Sequence, residues 1–157
     1  MRKKVVIVGH FGVGKTSLTK QFVSNMFSEK YLTTIGVNIE KKVVETSKGS
    51  MNLILWDIAG EEDLDTIKTS YLKGSHAFLL VTDLTREITY SKIDTDVKYM
   101  QGIVGDIPHL IIGNKSDLLS KDQINQIKGK FNIDYFSSAK SGENVNEFFS
   151  DIAEKLV

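Results

Sequence analysis

The chain contains no cysteine and one proline, and neither sign of charge is in excess. Without cysteine there is no disulfide, no thiolate zinc site and no acceptor for a prenyl or palmitoyl group. We therefore expect a cytoplasmic protein, with no covalent lipid anchor and no membrane association encoded in these residues. The 20 basic residues balance the 20 acidic ones, which removes any overall charge argument for nucleic acid as a partner. No apolar run approaches the roughly 20 residues that a membrane helix needs.

Short apolar runs rich in β-branched residues recur along the 157-residue chain, with helical periodicity between them. They occupy residues 5–8, 53–56, 77–81, 110–112 and 131–136. This alternation predicts a parallel sheet covered by helices on both faces. No repeat, linker or low-complexity tract interrupts it, so we expect a single domain over residues 1–157.

Residues 37–44 differ, because apolar and polar side chains alternate there up to a turn at residues 47–50. This pattern predicts an antiparallel edge strand whose lysines discourage pairing with other chains. Near the end of the chain, Asn144 followed by Glu147 predicts a helix with a capped N-terminus that packs on the sheet. The predicted fold is a three-layer α/β/α arrangement with a six-stranded, mostly parallel sheet and one antiparallel edge strand.

A glycine-rich loop lies between the first predicted strand and the helical stretch at 17–23, and residues 9–16 have the pattern G-x-x-x-x-G-K-T. In this setting, backbone N–H groups and the helix N-terminus surround a phosphate, which indicates a P-loop NTPase rather than an ordinary turn. Lys15 is expected to bridge β- and γ-phosphate oxygens and the Thr16 hydroxyl to coordinate Mg²⁺. The residues expected to bind the phosphates are Gly12, Val13, Gly14, Lys15, Thr16 and Ser17.

The loop does not select a base, but a second motif does. Directly after the predicted strand at 110–112 the chain reads Asn114-Lys115-Ser116-Asp117. A carboxylate accepts hydrogen bonds from both N–H donors on the guanine edge, so Asp117 is expected to select guanine. Lys115 is expected to lie along the purine face, and Asn114 to connect this loop to the phosphate loop. A further candidate loop follows the last apolar run: Ser138-Ala139-Lys140. There the Ala139 amide is expected to donate to guanine O6, although on its own this tripeptide also fits an ordinary loop at the start of a helix.

Three residues between these motifs are candidates for the metal and the γ-phosphate. Asp57 follows the predicted strand at 53–56 and is expected to hold a water of Mg²⁺, while the Gly60 amide is expected to reach the γ-phosphate. Thr34 is a candidate second Mg²⁺ ligand that only a triphosphate holds in place, although it also fits an ordinary surface threonine. The metal candidates are thus Thr16, Thr34 and Asp57, and Lys15, Thr34 and Gly60 are candidates for catalysis.

In order and spacing these elements resemble the Ras superfamily over essentially the whole chain, and residues 56–62, Trp-Asp-Ile-Ala-Gly-Glu-Glu, are most similar to the Rab branch. The resemblance implies a GTPase that binds GTP or GDP with Mg²⁺ and acts as a switch in signal transduction or vesicle trafficking. It implies that Phe27 packs edge-on against guanine and that Tyr31 closes over the phosphates. The switch segments are expected at residues 28–37 and 58–72.

The resemblance also implies partners: effector proteins, an exchange factor and a GTPase-activating protein. The effector surface of Rab proteins is an aromatic triad, and its positions here are Ile39, Trp56 and Tyr71. Ile39 departs from that pattern because it is aliphatic. On their residue types alone, Trp56 and Tyr71 also fit half-buried aromatics without a binding role.

Two departures concern hydrolysis. Glu61 stands where the family has the glutamine that orients the attacking water, which makes it a catalytic candidate. Its carboxylate accepts a hydrogen bond from water but cannot donate one. Phe11 occupies a loop position that is normally small, where it either crowds Glu61 or simply covers the nucleotide. We therefore expect slow hydrolysis. The alternatives are a module that holds nucleotide and barely hydrolyses it, and a P-loop kinase or ATPase, against which Asp117 argues.

Overall fold

A computed structural model describes residues 1–30, 34–60 and 64–157. In these residues one six-stranded sheet has the strand order β2-β3-β1-β4-β5-β6. The strands are β1 (Arg2–Val8), β2 (Val37–Thr46), β3 (Gly49–Ile58), β4 (Ala77–Asp83), β5 (His109–Asn114) and β6 (Tyr135–Phe136). Only the pairing of β2 with β3 is antiparallel within this described part. The expected mostly parallel sheet with one antiparallel edge strand is confirmed.

Helices cover both faces of this sheet. They are α1 (Lys15–Ser24), α2 (Thr69–Leu72), α3 (Ile93–Val104), α4 (Lys121–Lys128) and α5 (Val145–Glu154). On one face, α1 and α5 meet through stacked rings of Phe22 and Phe149, whose centroids are 4.0 Å apart. On the other face, Leu72 of α2, Met100 of α3 and Ile127 of α4 share a second core. The three-layer prediction is therefore confirmed, and among the described residues no helix is long and apolar enough to cross a membrane.

Burial explains the sequence pattern of the central strand β4 but not that of the edge strand β2. All seven residues of β4 are buried because neighbouring strands and both helical layers enclose it, which accounts for its unbroken apolar run. In contrast, β2 lies at the sheet edge, and the outward side chains of Ile39, Lys41 and Val43 are exposed. The apolar side chains of Ile39 and Val43 thus lie on the exposed side of this edge strand, so the alternation in the sequence does not mark a buried apolar face.

Two local predictions were wrong. The last strand comprises only Tyr135–Phe136 rather than residues 131–136, because Phe131 instead packs edge-on against Tyr90. Asn144 does precede α5, but its backbone is left-handed with φ of 60°, and it makes no side-chain cap with the helix. Side-chain capping requires an extended residue. The Asn144 amide instead donates to the Phe136 carbonyl at 2.8 Å, which fastens the start of α5 to the end of β6.

The parallel strands bring the motifs together. The carboxyl ends of β1, β3, β4 and β5 lie at the same sheet edge, because β3 and β4 pair parallel with β1 and β5 pairs parallel with β4. The loops that follow these strands therefore meet at one end of the sheet, which is where ligands bind in folds of this kind.

Candidate functional site

A cavity of about 330 Å³ opens at this edge of the sheet. Its size is at the lower end of the range for small-molecule sites. The sequence-predicted residues that line it are Gly12, Gly14, Lys15, Thr16, Ser17, Phe27, Thr34, Gly60, Asn114, Lys115, Asp117, Ala139 and Lys140. Val13 and Ser138 are fully buried and do not line it. Tyr31 and Glu61 lie outside the described residues.

Gly14 within the phosphate loop and Gly60 beside it both lie too close to their neighbours to carry a side chain. A Cβ atom on Gly14, whose φ is 102°, would lie 2.2 Å from Asn114 Nδ2, and one on Gly60 would lie 2.6 Å from Lys15 Nζ. Lys15 is 6% exposed, and its ammonium donates to the carbonyls of Gly9 and His10 at 3.1 Å each. The loop therefore holds a buried cation at the cavity wall, directly beside Gly60.

Oxygen ligands converge at one end of the cavity. The hydroxyls of Thr16 and Thr34 are hydrogen-bonded to each other, and Thr16 donates to Asp57 Oδ2 at 2.6 Å. Asp57 is completely buried behind these hydroxyls, and its Oδ1 has no hydrogen-bond partner in the described part of the chain. Burial raises the pKa of Asp57, against the opposing effect of the Thr16 hydrogen bond. A hard cation such as Mg²⁺ suits two hydroxyls beside a buried carboxylate, because it takes oxygen ligands and favours the ionised acid.

The other end of the cavity carries the Asp117 motif. Asp117 Oδ1 accepts from the Ser138 hydroxyl at 2.8 Å, and Asn114 Oδ1 accepts from the Ala139 amide at 3.2 Å. Asn114 also donates through Nδ2 to the Val13 carbonyl at 3.0 Å. One side chain thus joins the phosphate loop to both loops that are expected to hold the base.

Lys115 has a second set of contacts that the sequence does not reveal. Its ammonium donates to the Gly12 carbonyl at 3.1 Å and pairs with Asp83 at 2.8 Å. Burial alone would raise the pKa of Asp83, but hydrogen bonds from Lys115 and Thr85 outweigh it and hold the pKa below its ordinary value. Asp83 ends β4, and a carboxylate at a strand end beside the phosphate loop is a signal that could have identified it.

Aromatic and charged residues form the mouth of the cavity. Phe27 and Phe11 both line it, with 40% and 50% of their surfaces exposed. Lys140 pairs with Glu29 at 3.2 Å across this opening, and both side chains remain largely exposed. Glu29 was not among the residues expected from the sequence, since a lone glutamate after a helix has no motif to mark it.

The residues expected to contact effectors lie close together. Ile39 faces Trp56 in the ladder between β2 and β3, and the Trp56 and Tyr71 rings are 6.5 Å apart. Ile39 is 46% exposed, whereas the two aromatics are half-buried. The Lys4 ammonium lies 3.7 Å from the Trp56 ring centroid. These contacts create a continuous surface of mixed apolar and basic character.

The sheet and its glycine-rich loop define the class of P-loop nucleotide-binding proteins. The sequence model of the Ras family matches residues 4–157. Among curated proteins, the chain is 34% identical to the Ras-related protein Rab-1 of Theileria parva and 36% identical to the Ras-related protein SEC4 of Saccharomyces cerevisiae. These alignments cover 98% of the chain and 73% and 74% of the two relatives. The chain is also 33% identical to the human Ras-related protein Rab-8B, in an alignment that covers 98% of the chain and 78% of that relative.

The chain therefore belongs to the Ras family, and its relatives lie in the Rab branch, as the sequence motifs indicated. Members of this family hydrolyse GTP, so the protein is a GTPase.

Proposed function

We propose that this protein is a Mg²⁺-dependent switch that binds GTP and GDP and hydrolyses GTP slowly. One observation carries the proposal: a single cavity has the hydroxyls of Thr16 and Thr34 at one end and the Asp117 carboxylate at the other. Their separation by the phosphate loop suits a ligand with a metal-bound phosphate chain and a guanine base. Residues 1–157 act as one domain in this proposal.

The phosphate chain is held by the loop at residues 12–17, with Lys15 neutralising the β- and γ-phosphates. Thr16, Thr34 and Asp57 hold Mg²⁺ directly or through its water, and the bound ion supplies neutralisation of charge on the phosphates. Thr34 connects the metal to the first switch segment, and Gly60 connects the γ-phosphate to the second. Loss of that phosphate therefore releases both segments.

The base is held by Asp117 and the Ala139 amide, with Lys115 and Phe27 along the purine. Ser138 supports this arrangement because its hydroxyl bonds Asp117 on the protein side, which leaves the carboxylate oriented. Lys140 completes the rim of the base site.

Slow hydrolysis follows from the residue type at position 61. Glu61 accepts a hydrogen bond from the attacking water, but its negative charge opposes that of the γ-phosphate. Phe11, half exposed at the cavity mouth, restricts the space through which a residue of another protein reaches the phosphates. Effectors bind at Ile39, Trp56 and Tyr71, and an exchange factor and a GTPase-activating protein set the nucleotide state in a role such as vesicle trafficking.

The test begins with the nucleotide released from purified protein, followed by single-turnover conversion of GTP with and without Mg²⁺. We expect GDP or GTP in the preparation and hydrolysis that requires the metal. Equal affinity for ATP in competition would refute guanine recognition. Binding with no measurable turnover would instead favour a module that only holds nucleotide, which is the alternative consistent with Glu61 and Phe11.

A further inference from the structure

Two successive carbonyl groups of the phosphate loop are each held by a cation from outside the loop. Lys115 donates to the Gly12 carbonyl at 3.1 Å, and Arg86 Nη2 donates to the Phe11 carbonyl at 2.7 Å. Both cations converge on one carboxylate oxygen, Asp83 Oδ2, at 2.8 Å from Lys115 and 3.1 Å from Arg86 Nε. The Asp83 side chain is 1% exposed. The buried Asp83 carboxylate thus links the two cations that hydrogen-bond the phosphate loop.

The position of Arg86 is determined by its own backbone. The Arg86 amide donates to the Asp83 carbonyl at 2.9 Å, and the Arg86 carbonyl accepts from the Thr89 amide at 3.0 Å and from its hydroxyl at 2.8 Å. The other Asp83 oxygen, Oδ1, accepts from the Thr85 amide and hydroxyl. With both the turn and the carboxylate fixed, the guanidinium is already oriented toward Phe11.

The planar shape of the Arg86 guanidinium matters as well as its charge. Nε points to Asp83 while Nη2 points to Phe11, so the planar fork spans two acceptors at once. A lysine has the same charge, but its ammonium is a compact point on a flexible chain and does not reproduce this geometry. The arrangement therefore depends on arginine specifically.

We propose that Arg86 is a positioning residue for nucleotide retention, which holds the Phe11 carbonyl and so keeps the phosphate loop in its binding conformation. The inference rests on the proposed function, because it assumes that this loop binds the phosphates. Arg86 does not line the cavity and acts through the backbone of Phe11. Asp117, which selects guanine in the proposed function, lies outside this set of contacts, and Lys115 would lie along either purine, so the preference for guanine over adenine should be independent of Arg86.

The experiment compares release of fluorescent mant-GDP from four proteins: the parent, Arg86→Gln, Arg86→Lys and Lys92→Gln. Lys92 precedes α3 and is exposed, so its substitution removes one positive charge from the same region without touching the loop. We expect Arg86→Gln to accelerate release about fivefold to tenfold, as for loss of a partly exposed charged hydrogen bond. Arg86→Lys should retain at least half of that increase, Lys92→Gln should behave as the parent, and the preference for GDP over ADP should be unchanged in all four.

Three results would overturn this role. Release from Arg86→Gln that matches the Lys92→Gln control would show that the contact does not matter. A parent-like Arg86→Lys beside a fast Arg86→Gln would show that charge alone acts. A lost preference for GDP over ADP would indicate general distortion. If Arg86→Gln does not fold, Arg86→Lys decides alone: release faster than from the parent supports the positioning role, and release at the parent rate overturns it. A parent that binds no GDP would overturn the proposed function together with this inference.

Discussion

The two ends of the nucleotide cavity differ in how their buried polar atoms are satisfied. At the base end, Asp117 accepts from Ser138, and Asn114 bonds both Ala139 and Val13. At the metal end, Asp57 is as deeply buried as Asn114, yet its Oδ1 has no hydrogen-bond partner in the part of the chain that the structure describes. At the base end the protein itself orients the side chains, while the metal end has a buried acceptor available for a cation.

This difference matches the two tasks of a switch. Recognition of the base must be the same in both nucleotide states, which favours side chains that the protein already orients. The metal end must differ between the states, so its contacts should depend on what is bound. Thr34 illustrates this, because its position beside Thr16 depends on hydroxyl contacts that a metal would replace.

The largest expected effect is a change of base preference caused by substitution of Asp117 at the base end. Asp117→Asn replaces one acceptor by a donor, which suits xanthine instead of guanine, while its remaining oxygen still accepts from Ser138. We expect the preference of XDP over GDP to rise about 10³-fold or more, as for sites that reject a ligand lacking the matching polar group. Competition binding with both nucleotides measures it. An unchanged preference would remove Asp117 from the base site.

The next effect concerns hydrolysis at the metal end. Glu61→Gln supplies an amide that accepts from the water and donates toward the transition state, so hydrolysis should become about 10-fold to 100-fold faster, which is roughly 1.4 to 2.7 kcal/mol of barrier. Glu61→Gln combined with Phe11→Ser is the stricter variant, because it also removes the ring at the cavity mouth, and Phe11→Ser alone is its control. Single-turnover rates no higher than the parent's would mean that Glu61 is not the cause of slow hydrolysis.

A smaller effect is expected at Thr16, the proposed metal ligand. Thr16→Ala removes one of the two hydroxyls at the metal end, so affinity for Mg²⁺ should fall by about tenfold or more, and the protein should favour GDP over GTP. Thr16→Ser keeps the hydroxyl and is the matched control. Titration of Mg²⁺ against nucleotide release measures the change. Equal Mg²⁺ dependence of the alanine and serine variants would exclude Thr16 as a ligand.

The comparison also shows what a sequence can predict. The strands and the phosphate loop were predictable because their signals are local: an apolar run, or glycines at fixed spacing before a helix. The contacts of Asp83 and Arg86 were not predictable, because they arise only when β4 lies beside β1 and β5, although the place of Asp83 at a strand end was a signal for that residue. The last strand was predicted too long for the same reason. Phe131 is apolar because it packs against Tyr90, and it takes no part in strand pairing.

The smallest expected effect tests a contact across the cavity mouth, between the expected first switch segment and the base loop. Glu29, which follows α1, pairs with Lys140 of the base loop at 3.2 Å across the cavity mouth, with side chains 76% and 54% exposed. Exposed pairs contribute at most about 1 kcal/mol, so reversing either charge by Glu29→Lys or Lys140→Glu should speed nucleotide release by about two- to fivefold. The double reversal should restore most of the parent rate, and the differences should shrink in high salt. Lys130→Glu, an exposed reversal outside the cavity lining, is the control. Additive effects in the double variant would show that the two charges act separately, and the base end would then hold its ligand without help from the first switch segment.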